Sequence, residues 1–216
     1  MTSLTVFILY FAVMLISGIP ATRFRRAENL ETWQVFHKAA LTGDVQKIGE
    51  LIRNRVDVNI KNRNGWTPLL TATYYDKSNV VELLTRNGAD INLKEKGGYS
   101  PLYTASFNGY ERVVEILIEK GADVNISNKN GFTPIIIAAQ EGHGRVVEML
   151  LKNGANVNSQ NNFGSTPLFW ASRKGHTNVV ELLIRNGADI NLKNNDGDSA
   201  LYTSSFDGIK TISVFK

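Results

Sequence analysis

A pattern that repeats every 33 residues runs through most of the 216-residue chain. Each unit starts with a glycine followed two positions later by Thr-Pro or Ser-Pro, at Gly65, Gly98, Gly131 and Gly164. A further unit starts at Gly197, where Ala200 replaces the proline, and one period back residues 32–64 fit the same frame. Such a period indicates a stack of small units, because a unit of this size cannot bury a core alone.

Each unit carries the pattern of two short helices. Proline suits a first helical turn because its φ is preset and no N–H is needed there, and the preceding Thr or Ser can cap the free amides. A second segment has apolar residues at helical spacing, as in Val146, Val147, Leu150 and Leu151. Glycines end both segments, and a remainder rich in Asn, Asp and Gly predicts a turn-like finger.

One position of the first helix is always small. It holds Ala39, Ala72, Ala105, Ala138 and Ala171. A small side chain lets adjacent first helices approach closely, so we expect a curved stack with first helices on the concave face and second helices on the convex back. Polar changes at Lys47 and Gly49 are typical of a capping first unit, and the last unit stops inside its second helix.

These units resemble the ankyrin repeat, since their ends match as well: Asn87–Asn92, Asn-Gly-Ala-Asp-Ile-Asn, recurs in three later units. The resemblance implies an all-α repeat solenoid of stacked helix-turn-helix repeats with β-hairpin-like finger loops. The repeat domain covers residues 32–216, in units 32–64, 65–97, 98–130, 131–163, 164–196 and the truncated 197–216. The histidine of the family's Thr-Pro-Leu-His pattern is replaced by Leu70, Tyr103, Ile136, Phe169 and Tyr202, which predicts fewer hydrogen bonds and more apolar contact between units.

An apolar segment, residues 1–22, precedes the repeats. Thr2–Thr22 contains no charge, and 21 residues of helix are about 31 Å long, enough to cross a bilayer core of about 30 Å. The segment is either a membrane anchor, adding an N-terminal hydrophobic helix to the fold, or a cleaved signal peptide. Arg23, Arg25 and Arg26 open a basic linker, residues 23–31, and place the repeats of an anchored chain in the cytoplasm.

Other locations follow from the alternatives. A signal peptide makes the protein secreted, and an artefact of the gene model makes it cytoplasmic. A buried leading helix is a further alternative for this segment. Membrane contact would run through residues 2–22. Asn125-Ile-Ser127 is a glycosylation sequon that matters only in the secretory lumen.

The residue inventory argues against catalysis. The chain has no cysteine and three histidines; His143 and His176 share one repeat position, where a structural role is expected, and His37 lies in the capping helix. Phosphate-binding and nucleophile-elbow motifs are absent, and carboxylates recur once per unit on the predicted convex back. We therefore expect no enzyme, cofactor or metal. The net charge of +4 forms no long basic stripe, which disfavours nucleic acid.

Ankyrin-like modules bind proteins or peptides through the fingers and the concave face. The residues predicted to bind a partner there are Trp66, Tyr74, Tyr75, Tyr99, Phe107, Phe132, Arg173 and Lys174. Rings are favoured at binding hot spots because they bury large areas at low entropic cost. The alternative is that these rings pack against neighbouring fingers.

The sequence therefore predicts a monomeric, non-catalytic scaffold for an unidentified protein partner. Alternatives are a secreted or host-directed ankyrin effector, or a fragment or regulatory part of a larger enzyme or membrane protein. Asn59 and Asn125 also lie in a Leu-x5-Asp-Val-Asn context that resembles sites of asparagine hydroxylation in ankyrin repeats. The alternative there is that both asparagines stabilise the fingers.

Overall fold

The structure, a computed structural model, describes the backbone of residues 21–200 and the side chains of residues 32–200. The helices of this part are α1 (Ala21–Thr42), α2 (Val45–Arg53), α3 (Pro68–Tyr74), α4 (Ser78–Arg86), α5 (Pro101–Asn108), α6 (Glu111–Glu119), α7 (Pro134–Glu141), α8 (Gly144–Lys152), α9 (Pro167–Lys174) and α10 (Thr177–Arg185). Odd-numbered helices form one row, the first-helix row, and even-numbered helices form the second-helix row. The all-α repeat solenoid is confirmed.

Apolar contacts between neighbouring units form one continuous core. Each inner first helix packs against its own second helix and against the first helices on both sides, as α5 does against α3, α6 and α7. The recurring alanines are buried at this contact, with at most 3% of any residue exposed. Second helices supply the valines and leucines at helical spacing, such as Val146, Val147 and Leu150. The neighbour thus completes the core of each unit, as the period predicts.

Helix starts follow the predicted capping with one exception. The hydroxyls of Thr67, Ser100 and Thr166 accept hydrogen bonds from backbone amides three residues on, each at 3.1 Å. Thr133 lies in the same backbone conformation, but its hydroxyl pairs with that of Ser159 at 3.2 Å. At this helix start, a hydrogen bond between two neighbouring fingers replaces the N-cap bond.

Two helix ends adopt a left-handed conformation without glycine. Gly109, Gly142 and Gly175 end their helices with φ between 72° and 80°. The second unit has Asp76 at the matching position, with φ 53°, and Arg55 takes φ 59° where later units have glycine. Such values are unfavourable for most residues with a side chain, although aspartate tolerates them better than arginine does.

The fingers are the loops 54–67, 87–100, 120–133 and 153–166, and an asparagine joins each to the next. Asn59, Asn92, Asn125 and Asn158 each accept a hydrogen bond at 2.8–3.0 Å from a backbone amide 31 residues on. Each finger also closes on itself, as where the Asn128 amide donates to the Phe132 carbonyl at 3.0 Å. The fingers are therefore hairpin-like, although the described residues contain only an isolated bridge, Lys193 with Ser199.

Residues 23–31, predicted as a linker, are helical and continue directly into the first repeat as part of α1. The apolar segment 1–22 lies outside the described residues apart from its last two, and so does the tail 201–216 of the last unit. Within the described part, no helix combines the length and apolar character needed to cross a bilayer.

Three hydroxyls lie unpaired at one repeat position. Thr73, Ser106 and Ser172 are fully buried in their helices, and no described group bonds their side-chain oxygens, whereas the matching residue of the intervening unit is Ala139. We expect Ser106→Ala to raise the free energy of unfolding by about 1 kcal/mol, because the unpaired hydroxyl costs about 1–3 kcal/mol to bury. Urea denaturation followed by circular dichroism measures this.

The matched variant reverses the change. Ala139→Ser should lower the free energy of unfolding by a similar amount, since it adds the same hydroxyl at an equivalent site. A loss of stability in Ser106→Ala would show that the hydroxyl has a partner.

Candidate functional site

Two fingers and two first helices enclose a groove on the first-helix side of the stack. We call it the aromatic groove; its volume is about 290 Å³, and it is lined by Trp66, Leu70, Tyr74, Glu95, Tyr99, Tyr103, Thr104, Phe107 and Asn108. Trp66 and Tyr99 follow the glycines of successive fingers, and Tyr74 and Phe107 lie in the last turns of the helices α3 and α5. The 33-residue period brings these positions together because equivalent residues of adjacent units lie side by side.

Ring contacts hold the walls of the aromatic groove. The Trp66 and Tyr74 ring centroids are 5.2 Å apart in an edge-to-face arrangement, and those of Tyr99 and Tyr103 are 5.0 Å apart. The rings nevertheless remain open to solvent, with 45% of Tyr74 and of Phe107 exposed and 39% of Tyr99. A set of exposed rings this close together is a typical protein-interaction surface.

Glu95 places a carboxylate in this apolar groove. Its Oε1 accepts a hydrogen bond from the Tyr99 amide at 3.1 Å. At the same position of other fingers, an asparagine oxygen accepts this bond, as Asn62 does from Trp66 and Asn128 does from Phe132. Glu95 therefore accepts the turn hydrogen bond that an asparagine accepts in other fingers, and it adds a negative charge.

Tyr103 forms the buried floor of the aromatic groove. The pKa of its hydroxyl is raised to about 12, first by burial and then by the nearby Tyr99 and Glu141, although a hydrogen bond with Asn128 opposes them. Tyr103 therefore stays neutral at physiological pH, and Glu95 supplies the charge of the groove lining.

A second groove lies on the other side of Trp66. This polar groove, of about 370 Å³, is lined by His37, Lys38, Leu41, Asn62, Asn64, Trp66, Thr71 and Tyr75. The predicted binding residue Tyr75 thus faces a different groove from Tyr74, although their ring centroids are 5.1 Å apart. Trp66 lines both grooves, with Lys38 in the polar groove on one side and Glu95 in the aromatic groove on the other.

The remaining predicted binding residues lie farther along the stack. Phe132 contacts Phe163 and Trp170, with ring centroids 6.5 and 5.8 Å away, and the Arg173 guanidinium lies 5.8 Å from the Trp170 ring centroid. Lys174 follows as an exposed residue at the end of α9. We call this group of rings with Arg173 the C-terminal cluster. It is separate from the aromatic groove, and Phe132 packs against neighbouring rings as the alternative interpretation expects.

Glu95, Tyr103 and Phe163 are not among the residues predicted from the sequence to bind a partner. Glu95 could have been found from the sequence, because it is a charged residue at a position where the other fingers have asparagine. Tyr103 occupies the position of the family's histidine, which was treated only as a loss of hydrogen bonding. Phe163 is 55% exposed and is the aromatic exception at a finger position otherwise held by Asn, Gly or Asp.

Histidines His143 and His176 join units, as their shared repeat position predicts. Their Nε2 atoms donate to the carbonyls of Phe107 and Gln140 in the preceding unit, at 3.0 and 2.9 Å. A Cβ on Gly109 would lie 2.6 Å from the His143 ring, so this contact also requires the glycine. In the described part of the chain, no group of three or more metal-binding side chains comes together.

The once-per-unit carboxylates of the second helices form surface ion pairs. Glu82 pairs with Arg86, Glu115 with Arg112, and Glu148 with Arg145 and Lys152. All of these pairs are solvent-exposed and each joins residues three or four apart on one helix, so they contribute little to stability. Their repetition places equal carboxylates along a solvated row, as predicted.

Asn59 and Asn125 lie in the asparagine ladder of the fingers. Asn59 accepts from the Asp90 amide at 2.9 Å. Asn125 accepts from the Asn156 amide at 2.9 Å and donates to the Gly154 carbonyl at 3.1 Å. These bonds give both side chains a structural role, and their hydroxylation stays a prediction.

The comparison with known families agrees with this architecture. Three overlapping copies of the ankyrin-repeat family model match residues 36–128, 91–161 and 122–194. The chain belongs to the ankyrin-repeat family. A search of curated proteins finds no match. Ankyrin repeats generally mediate protein–protein interaction and are typically non-catalytic scaffolds, which is the use that the exposed rings of this ankyrin array suit.

His37 occupies the family's histidine position in the first ankyrin unit, so its role goes beyond the place in a capping helix that the sequence predicts. Its Nδ1 lies 2.7 Å from the Thr71 hydroxyl of the next unit, and its Nε2 lies 3.3 Å from the Ile60 carbonyl. The ring is 7% exposed. Burial lowers the pKa of His37, and the bond to Ile60 opposes the shift only in part.

The lowered pKa of His37 predicts a pH-dependent stability. As the pH is lowered through 6.5, the unfolded chain binds a proton at this ring more readily than the folded chain does. The free energy of unfolding therefore decreases as the pH decreases. Urea denaturation at pH 7.5 and pH 5.5 should therefore show a larger loss in the wild-type protein than in His37→Gln. Equal losses in the two proteins would contradict this assignment, since all other titrating groups are shared.

Proposed function

We propose that this ankyrin array is a non-catalytic scaffold that binds a partner protein through a segment seated in the aromatic groove. The observation that carries the proposal is the convergence of Trp66, Tyr74, Tyr99 and Phe107 from two successive units on one open cavity. Exposed rings on a soluble surface cost free energy that a partner recovers on binding. Trp and Tyr are also the residues that most often dominate binding energies.

The backbone around the aromatic groove supports binding without rearrangement. Trp66 follows a finger turn whose amides are bonded to Asn62, and Tyr99 follows the turn bonded to Glu95. Tyr74 and Phe107 project from helices packed on both sides by neighbouring first helices. A preformed surface loses little conformational entropy when a ligand binds, so most of the ring burial contributes to affinity.

A peptide selection tests this function directly. Random peptides displayed on phage would be selected on the full chain, and the affinity of the enriched peptides measured by fluorescence anisotropy. We expect Trp66→Ala combined with Tyr74→Ala to weaken binding at least tenfold, because losing one hot-spot ring costs on the order of 2 kcal/mol or more. Circular dichroism would establish that the variant retains its helices.

A matched control is Val45→Ala. Val45 is an exposed apolar residue, 40% accessible, on the second-helix row at the start of α2. Its truncation should leave peptide affinity unchanged. Equal affinity of the wild-type and groove variants would exclude the aromatic groove as the binding site.

We propose in addition that the repeats are anchored to a membrane and face the cytoplasm. Support comes from the uncharged stretch Thr2–Thr22 and from the arginines that follow it at once. We expect the full chain to stay with membranes after an alkaline carbonate wash, and deletion of residues 2–22 to release it. Release of the intact full chain would contradict the anchor, and a chain shortened by about 21 residues would favour a cleaved signal peptide.

A further inference from the structure

The aromatic groove and the C-terminal cluster differ in that only the C-terminal cluster has a cation of its own among the described residues. In the C-terminal cluster, Arg173 lies over the Trp170 ring at 5.8 Å. Arg173 occupies the repeat position that Tyr74 and Phe107 occupy in the two units of the aromatic groove. The Trp170 ring of the C-terminal cluster thus faces the chain's own guanidinium, whereas the same repeat position of the aromatic groove adds further rings.

The carboxylate of Glu95 gives the aromatic groove a negative charge, and no cation among the described residues pairs with it. Its lining contains no lysine or arginine, and Glu95 forms no salt bridge with any described residue. Both cations adjacent to Glu95 in sequence bond to neighbouring fingers, since Lys96 Nζ donates to the Arg63 carbonyl at 2.7 Å and Lys94 Nζ donates to the Ser127 carbonyl at 2.6 Å. Glu141 lies close enough to the groove residue Tyr103 to raise the pKa of its hydroxyl, so a second carboxylate adds negative charge near the groove floor.

We propose that the aromatic groove binds an arginine side chain of the partner segment, with the guanidinium stacked on the groove rings and paired with the Glu95 carboxylate. The inference rests on the proposed function and names the ligand chemistry of that site. Aromatic faces attract cations through their negative π surfaces. The arginine thus takes the role that Arg173 has in the C-terminal cluster.

Arginine suits this groove better than lysine. The guanidinium is planar and weakly hydrated, so it can lie flat on a ring while its edge donates to a carboxylate. An ammonium group is compact and strongly hydrated, and the mostly apolar lining offers few acceptors for its three protons. Glu95 has Oε2 available for such a bond, because the Tyr99 amide occupies Oε1.

The polar groove indicates how the partner segment continues. It begins on the other side of Trp66 and contains Lys38, whose ammonium forms no salt bridge with the described residues. Neighbouring helices lie about 8–10 Å apart, the length of about three extended residues. An extended segment with an acidic residue about three positions from its arginine would match both charges.

The test compares arginine with its neutral analogue citrulline, which has the same shape without the charge. N-acetyl-arginine amide, N-acetyl-citrulline amide and N-acetyl-lysine amide would each be titrated into the full chain, kept in solution with a neutral detergent. The indole N–H signal of Trp66 in NMR spectra reports binding, and the indoles of Trp33 and Trp170 are internal controls. We expect a saturable shift of the Trp66 signal with arginine, and binding at least fivefold weaker with citrulline and with lysine.

A charge-neutral variant separates the carboxylate from the rings. Glu95→Gln retains an oxygen for the Tyr99 amide and should weaken arginine binding severalfold while leaving citrulline binding unchanged. The matched control is Glu115→Gln, which removes an exposed carboxylate from the second-helix row and should change nothing.

Equal binding of arginine and citrulline, stronger binding of lysine, or equal shifts at all three indoles would each overturn the inference. The proposed function has a separate outcome, because selected peptides can depend on Trp66 and Tyr74 without any preference for arginine. That result would retain the docking site and remove only its cation specificity.

Discussion

A single helix pair of this ankyrin array is too small to bury its own apolar side chains, so contact with neighbouring pairs is needed to exclude water from them. The buried alanines of the first helices set how closely the pairs approach, since a larger side chain such as leucine would separate α5 from α3 and α7. Hydrogen bonds follow from this spacing. The asparagine ladder and the histidine contacts span adjacent units only because apolar packing has already fixed their distance.

The aromatic groove is a consequence of the same spacing. A ring at one finger position or one helix end is an isolated exposed residue in a single unit, but stacking puts equivalent positions of two units side by side. Trp66 with Tyr99 and Tyr74 with Phe107 form opposite parts of one cavity in this way. The scaffold thus supplies the geometry, and the residues that vary between units supply the chemistry.

The sequence predicted those features that repetition or local backbone chemistry determines. The helix pairs, the buried alanines, the helix-ending glycines and the structural histidines His143 and His176 all follow from one residue type recurring at one position. Features that depend on a single departure from the repeat were harder to predict. Thr133 exchanges its cap for a bond to Ser159, and Glu95 brings charge to an asparagine position. Phe132 and Tyr99 hold equivalent repeat positions, but they contact different rings and lie in different sites. The repeat spacing alone does not determine these ring contacts.

The asparagine ladder has a consequence for how such a chain can change in length. Each finger bonds to the next through the same side chain at the same 31-residue offset, so this bond can form between any two of the units that it joins. Excising residues 131–163 would bring Asn125 opposite the Asp189 amide in place of Asn156, with the register preserved. Growth or shrinkage in whole multiples of the period therefore leaves the stack intact, whereas the gain or loss of a few residues in a helix would break the register at both junctions.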